Sequence, residues 1–481
     1  MVDVILIHSP MVVNRRGQDW IFSDGDEVSN YHMGLLYLSA YLEKNGMSVK
    51  ILDVTAARIT LEDILENVAQ EKPTVVGISA TSSGLRSAVS ICRRIKENFE
   101  GVPVCIGGAH VNCDPHFHER VPVFDYCVMG EGEKTFYESV VKLKNGEKVE
   151  GILQGESIEP LDDVPFPARH LIEFQDYVRW EHRNSTKKPN ATMLGSRGCP
   201  FKCTFCSIPA VGHKVRYRSA KNIVDEMEAI YDTCDGNYTF VDDVLTLNQN
   251  KTIELCDEII KRGLGDKVKW NGMTRAEILG EKLVAKMAEA GCNDLFFGIE
   301  SGSERVRTDV IAKKISNEEI KNAVSLCRKY GIVTNFFLMV GFPTETHEEI
   351  QETVEIGKKS GADMIGIHQT IPFPGTGIYD YSVKNGLIEE NLIDRFALGD
   401  GWSEKESFHD NWPNFVPEGL ETKDLVDAKK RAYREHYLRP SWAWSRVKLW
   451  MKAPYRFKQD LNTLRHAPDV FIFGKTLNTP S

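Results

Sequence analysis

The chain has 481 residues, 42% of them hydrophobic and 27% charged, and its formal net charge is -10. That length predicts two or three domains with the balance of a globular protein. The acidic excess argues against a general nucleic-acid surface, and no apolar run approaches the ~20 residues that span a bilayer.

The N-terminal MVDVILIHSP has no basic region followed by a long apolar stretch, so no secretion signal is read and the cytoplasm is the expected location. Apolar runs at Val4–Ile7, Val49–Leu52, Val75–Ile78, Val102–Ile106 and Tyr126–Met129 predict buried strands. Helical patterns near 34–45, 61–70, 85–98, 114–120 and 134–144 separate them. This βαβ series predicts a parallel, doubly wound sheet, whose ligands bind beyond the carboxyl ends of the strands. At those ends stand His8-Ser9-Pro10, the run Ser79–Gly84, Gly107-Gly108-Ala109-His110 and Gly130-Glu131-Gly132-Glu133. Glycines there admit a ligand and hydroxyls can bond it, although ordinary βα turns use the same residues.

Residues 151–190 break the rhythm. Pro160, Pro165 and Pro167 predict an extended connection. A second series follows, with strands expected at Thr192–Gly195, Tyr238–Val241, Val268–Asn271, Asp294–Gly298, Thr334–Val340 and Met364–Gln369. Amphipathic helices such as Lys221–Thr233 and Asn317–Tyr330 lie between them. Six βα units predict a partial barrel with its site at the C-terminal strand ends. Asp242-Asp243, Thr274-Arg275, Gly298–Ser301, Gly341-Phe342-Pro343 and Pro372–Thr376 fall there. After about residue 395 the pattern turns loop-rich and then helical.

There are eleven cysteines, and without a secretion signal no disulfide framework is expected. Cys92, Cys105, Cys113, Cys127, Cys234, Cys256, Cys292 and Cys327 are scattered and read as small hydrophobes. Cys199, Cys203 and Cys206 are clustered at C-x3-C-x2-C. Three close thiolates suit a soft metal or an iron–sulfur cluster, and three ligands leave one iron open. His213, seven residues on, keeps a zinc site as the alternative.

This loop resembles the cluster loop of the radical S-adenosylmethionine superfamily. There the open iron of a [4Fe–4S] cluster is chelated by the amino and carboxylate groups of S-adenosylmethionine, and one electron cleaves the sulfonium to a 5′-deoxyadenosyl radical. The resemblance implies that Phe205 flanks the adenine and that Asp242 and Asp243 meet the methionyl ammonium. It implies that Arg275 meets the methionyl carboxylate, that Glu300 stands near the ribose or methionyl end, and that the backbone at Gly341 approaches the adenine. Any one of these charged residues could instead make a packing ion pair.

The order of segments resembles one branch of that superfamily. It implies a cobalamin-binding-type domain over 1–150, of Rossmann type, a linker over 151–190, a radical SAM partial (β/α)6 barrel over 191–395, and a mainly helical region over 396–481. Tyr217-Arg218-Ser219, the GSERV run at Gly302–Val306 and PFPGT at Pro372–Thr376 fit the same pattern, over roughly residues 1–440. Ser79, Ser82, Gly107 and Gly108 lie where that branch contacts cobalamin. The D-x-H-x-x-G signature that supplies a cobalt-ligating histidine is absent after the first strand, and Asp114–Glu119 is not counted as a match. His8, Asn30 and His32 could approach the lower face of the corrin or simply cap turns.

The implied chemistry is methylation of an unactivated carbon in a small-molecule, tetrapyrrole or lipid metabolite. The alternative is an oxidative or ring-forming reaction of the anaerobic magnesium-protoporphyrin ester cyclase type; a non-catalytic sensor is the third reading. A flavodoxin- or ferredoxin-type electron donor is implied with either enzyme. No hydrogen-donor residue is assigned: Tyr379, His368 and Trp402 lie in suitable regions, but packing is the expected role of each. The run Tyr433–Pro440 resembles a tail of the same branch. After it, Ser441–Lys458 combines Trp442, Trp444 and Trp450 with Arg446, Lys448, Lys452 and Arg456. That mixture suits peripheral membrane contact, but shortness and Pro454 favour a helix packed on the barrel.

Overall fold

The computed structural model describes residues 1–10, 32–174, 177, 190–207, 213–399, 415–452 and 457. Asn30, Trp402, Pro454, Arg456 and the side chains of Lys448 and Lys452 lie outside that set. The chain divides into two compact units.

The first unit comprises Met1–Tyr177 with Phe373–Pro413. Its sheet is built from β1 (Val4–His8), β2 (Val49–Asp53), β3 (Val75–Ser79), β4 (Val104–Gly107), β5 (Tyr126–Met129) and β6 (Gly151–Gln154). The order is β2-β1-β3-β4-β5-β6, and every pairing is parallel. Helices cover both faces, which is why β1 and β3 read as unbroken apolar runs; Val4, Ile5, Ile7, Val75 and Val76 are wholly buried. Each such side chain contributes roughly 1.5–3 kcal/mol of transfer free energy.

The chain leaves β1 in one direction to β2 and returns past β1 to β3, so the order reverses between β1 and β3. In doubly wound sheets a crevice opens at the carboxyl ends of such a pair. β6 is an addition to the five expected strands. It has four residues, none of them buried, so neither a long apolar run nor an alternating pattern marks it. The helix expected at 114–120 is two short ones, Ala109–Cys113 and Phe117–Arg120. Asp394, from the later segment, pairs with Arg120 at 2.6 Å within this unit, and Arg120 also pairs with Asp114.

The second unit comprises Val178–Pro372 and Asn414–Thr479. β7 (Ala191–Met193) comes first, followed by a small hairpin of β8 (Ser196–Arg197) and β9 (Arg216–Tyr217). Then come β10 (Asn237–Phe240), β11 (Lys269–Thr274), β12 (Cys292–Glu300), β13 (Val333–Val340) and β14 (Met364–Gln369). β14-β13-β12-β11-β10-β7 form a parallel six-stranded sheet, the expected partial barrel. Trp270, Phe297, Phe336, Leu338 and Ile367 point to the helix-covered face and are buried. Residues of opposite parity, including Phe296, Phe337 and His368, face the other side; Phe296 and Phe337 stack at 5.7 Å.

Ser316 and Thr346 open the helices Asn317–Lys329 and His347–Ser360 with capping boxes. The helix expected over Lys221–Thr233 breaks at Ile230 into Ala220–Ala229 and Tyr231–Cys234. The helix Thr422–Tyr437 buries Leu425, Ala428 and Ala432 in the core. Its Tyr433 and Tyr437 hydroxyls accept from the Ile367 and Ile365 N–H groups at 3.3 and 3.0 Å. The outer edge of β14 is thereby closed to another strand. No helix among the described residues is long and apolar enough to cross a membrane.

Candidate active site

The three cysteines follow β8 on one hairpin. Gly198 turns the chain at φ 99°, and a β-carbon there would run into the Lys214 carbonyl oxygen, so glycine is required. Arg218 ties the base of the hairpin. Its backbone N–H donates to the Gly195 carbonyl at 2.9 Å, Nη1 donates to the Leu194 carbonyl at 2.8 Å, and the guanidinium pairs with fully buried Glu226 at 2.6 Å.

Asp242, just beyond β10, ties the other side. Its Oδ2 accepts from the Gly195 N–H at 2.9 Å and its Oδ1 from the Ser196 hydroxyl at 2.5 Å. Burial raises its pKa to about 6, against the pull of those bonds. Both its oxygens therefore serve the hairpin. Asp243 is less buried, and burial raises its pKa too. It is also close enough to Cys199 to disfavour that thiolate.

The loop docks through Thr204, whose N–H donates to the Ile311 carbonyl at 3.2 Å and whose hydroxyl donates to the Val310 carbonyl at 2.8 Å. Phe205 meets Phe342 edge-on at 6.1 Å. The docking turn is held from behind by Arg307, which is fully buried. Arg307 donates to the Ser301 and Ile315 carbonyls and to Asn317 Oδ1, at 2.6, 2.8 and 2.7 Å. Arg275, beyond β11, lies over the Phe201 ring at 3.8 Å, donates from Nη1 to Cys203 Sγ at 3.8 Å, and pairs with Glu277 at 2.5 Å. Burial raises the Cys199 thiol pKa, and the Arg275 charge opposes that rise.

Glu300 ends β12 at φ 67°, where the register with β13 slips. It pairs with Lys313 at 3.0 Å, both side chains being nearly buried. Gly341, at φ 88°, and Phe342 donate their N–H groups to Glu345 Oε2 at 2.6 and 3.0 Å. Burial raises the Glu345 pKa to about 7, and its Oε1 has no partner among the described residues.

Sequence reasoning missed Lys313, Arg307 and Glu345. Each sits in a polar stretch resembling a solvated surface, and only the fold shows it buried. His368 is exposed on the open face of the sheet and not packed in the core. Tyr379 belongs to the first unit, where its hydroxyl donates to the Glu390 carbonyl at 2.8 Å. His213 is exposed.

Among the described residues, no three His, Cys, Asp or Glu side chains converge as tightly as one metal ion needs. A zinc ion would hold its sulfurs about 4 Å apart. A cubane takes each thiolate on a different iron, so its three sulfurs need not lie that close.

In the first unit, the ends of β1 and β3 bring imidazoles and hydroxyls together. His8 lies against His32 with ring centroids 4.5 Å apart. His8 Nδ1 approaches Asp53 Oδ1 at 3.4 Å, and the Tyr177 hydroxyl donates to Asp53 Oδ2 at 2.8 Å. Burial alone would raise the Asp53 pKa, but these bonds and the Ala56 N–H hold it below the usual carboxylate range. His32 uses both nitrogens: Nδ1 accepts from the Leu35 N–H at 3.2 Å and Nε2 lies 3.1 Å from the Ser79 hydroxyl. Burial lowers its pKa to about 3, so it is neutral.

Ser82 bonds His110 Nδ1 at 2.9 Å, and His110 Nε2 is buried with no hydrogen-bond partner among the described residues. A β-carbon at Gly108, φ 99°, would lie 2.7 Å from Ser79 Oγ and 2.9 Å from the Ala80 backbone, so this approach needs glycine. Gly107 has ordinary room for a β-carbon. The strand-end crevice and the glycine approach fit a polar-edged ligand such as cobalamin, whereas His110 Nε2 lies 4.0 Å from Asp114 Oδ2.

Two family models match the chain, the radical SAM superfamily over residues 193–356 and the B12 binding domain over residues 27–140. An uncharacterized methyltransferase of Pyrococcus horikoshii is 30% identical over 85% of this chain and 88% of its own. An anaerobic magnesium-protoporphyrin IX monomethyl ester cyclase of Rubrivivax gelatinosus is 27% identical over 85% of this chain and 76% of its own. Among solved structures, the radical S-adenosylmethionine methyltransferase TsrM from Kitasatospora setae, with cobalamin and a [4Fe–4S] cluster bound, superposes with TM-score 0.62. It is 19% identical over 80% of this chain and 78% of its own, a likeness of fold.

Proposed function

Because the chain belongs to the radical S-adenosylmethionine superfamily and carries a B12 binding domain, we propose that it is a cobalamin-dependent radical enzyme that methylates an unactivated carbon. The substrate class is a small-molecule, tetrapyrrole or lipid metabolite, and Cys199, Cys203 and Cys206 are the ligands of a [4Fe–4S] cluster. When bound, the cluster supplies the electron that breaks the sulfonium, and cobalamin carries the transferred methyl group. The observation that carries this reading is the three-thiol hairpin, tied by Asp242 and docked through Thr204 at the strand ends of a partial barrel.

Around S-adenosylmethionine, Asp243 accepts from the ammonium, since Asp242 is committed to the hairpin. Arg275 keeps positive charge beside the thiolates and faces the methionyl carboxylate. The Glu300–Lys313 pair addresses the ribose or methionyl end. Phe205 flanks the adenine, and the Gly341 backbone approaches it, braced by Glu345. In the B12 binding domain, Ser79, Ser82, Gly107 and Gly108 edge the cofactor crevice. Of the two imidazoles at the end of β1, His8 would be the one available to meet cobalamin, because its Nε2 has no hydrogen bond among the described residues whereas His32 uses both nitrogens. A flavodoxin- or ferredoxin-type protein of the reducing cytoplasm is the proposed electron donor.

The cyclase relative, matched over most of both chains, supports oxidative cyclisation as the second reading. Incubating the reduced, reconstituted protein with S-adenosylmethionine and candidate substrates separates them. Formation of 5′-deoxyadenosine with a product heavier by one methyl group is expected. A product that has lost hydrogens or gained oxygen selects the cyclase, and no 5′-deoxyadenosine rejects both.

A further inference from the structure

We propose that the C-terminal end of the chain docks on an anionic lipid surface. Charge is the first observation. From Lys429 to Lys458 the sequence holds ten Lys or Arg (429, 430, 431, 434, 439, 446, 448, 452, 456 and 458) and one acid, Glu435, in a chain of net charge -10. Over so short a segment, such an excess is attracted to anionic headgroups.

The second observation is what these bases do. Arg431 and Arg434 are exposed on the helix Thr422–Tyr437, and neither has an ion-pair partner among the described residues. Some exposed bases elsewhere pair, as Lys221 with Asp225, Lys329 with Glu281 and Arg305 with Glu349, while others, such as Lys72, Lys282, Lys314 and Lys384, have no ion-pair partner among the described residues. Spacings of three and four put Arg431, Arg434 and Leu438 on one helix face. Leu438, at the end of that face, is 66% exposed.

The third observation is the next helix, Pro440–Lys452. One side is fixed to the second unit. The Trp442 ring packs on Tyr437 at 5.3 Å, its Nε1 donates to the Asp363 carbonyl at 2.8 Å, and Arg446 is buried. Because that side is pinned, the other must face outward. Trp444 and Met451, seven residues apart and so on one face, are 60% and 71% exposed.

Unpaired Arg431 and Arg434 with outward Leu438 on one helix, and outward Trp444 and Met451 on the next, are the composition of helices lying at a lipid interface. A single-stranded nucleic acid would also use bases and aromatics, but it gains nothing from Leu438 and Met451. The surface therefore commits to lipid. This inference rests on charge and exposure and is independent of the reaction proposed above.

Flotation of the full, anaerobically purified chain tests it. The chain is expected to float with vesicles of phosphatidylcholine and phosphatidylglycerol, to stay behind with phosphatidylcholine alone, and to be released by high salt. Arg431→Gln with Arg434→Gln should weaken binding roughly thirtyfold. Trp444→Ser with Met451→Ser should weaken it while leaving iron content unchanged, since these side chains touch solvent. Absence of flotation overturns the proposal, as does equal flotation with neutral vesicles or flotation unchanged in both double variants. A dimer in sedimentation that dissolves in the Trp444/Met451 variant also overturns it, by assigning the face to a second copy.

Discussion

Glu345 shows how a single residue can matter without touching a reacting atom. Its carboxylate braces the Gly341 and Phe342 N–H groups, and burial raises its pKa to about 7. An unfolded glutamate titrates near 4.5, so between about pH 4.5 and 7 the folded state holds a proton that the unfolded state has lost. Stability from this group is therefore greatest at low pH and falls as pH rises to 7, by on the order of 2–3 kcal/mol. Urea unfolding of Glu345→Gln across that range should be correspondingly flatter than that of the parent; identical slopes would show that Glu345 titrates normally. The three cysteines were legible in the sequence because soft donors at that spacing have few other uses. Glu345, Lys313 and Arg307 were not, because their partners are backbone groups or residues that only folding brings near. The paired aspartates were marked by their strand-end position and by the family resemblance, and the geometry ties Asp242 to the hairpin.

At the scale of elements, the cluster hairpin is a two-residue ladder, too short to be stable alone. It is held by groups from four different segments: Arg218, Asp242, Thr204 with Val310 and Ile311, and Arg275. Asp242→Asn should replace one of the two oxygens that accept from the Gly195 N–H and the Ser196 hydroxyl by an amide donor, and so lower iron and sulfide content. Asp243→Asn should keep the cluster but weaken S-adenosylmethionine binding about tenfold or more, as loss of a charge-assisted bond does. Iron analysis and equilibrium binding on the two variants check this; an inverted pattern would make Asp242 the ligand contact. The main strands were legible as apolar runs. β6 was not, since four edge residues, three half-buried and one exposed, carry no periodic signal, and the break at Ile230 has no glycine or proline to announce it.

At the scale of the whole chain, two parallel sheets follow from two long alternations of apolar strands and amphipathic helices, which is why fold class could be read before any contact was known. Each sheet gathers its unusual residues at the carboxyl ends of its strands, in the first unit around His8, Ser79 and Gly108, in the second around the cysteines, Asp243, Arg275 and Glu300. The boundary between units was less legible. Phe373–Pro413 belongs with the first unit through contacts such as Arg120–Asp394, which join residues 274 positions apart.

The most direct measurement is electron paramagnetic resonance of the anaerobically reconstituted, reduced chain with and without S-adenosylmethionine. Thiolate coordination at Cys199, Cys203 and Cys206 predicts about four irons per chain, a cubane signal that shifts when S-adenosylmethionine binds, and no signal once all three are alanine. A signal that ignores S-adenosylmethionine, or that survives the triple substitution, contradicts it.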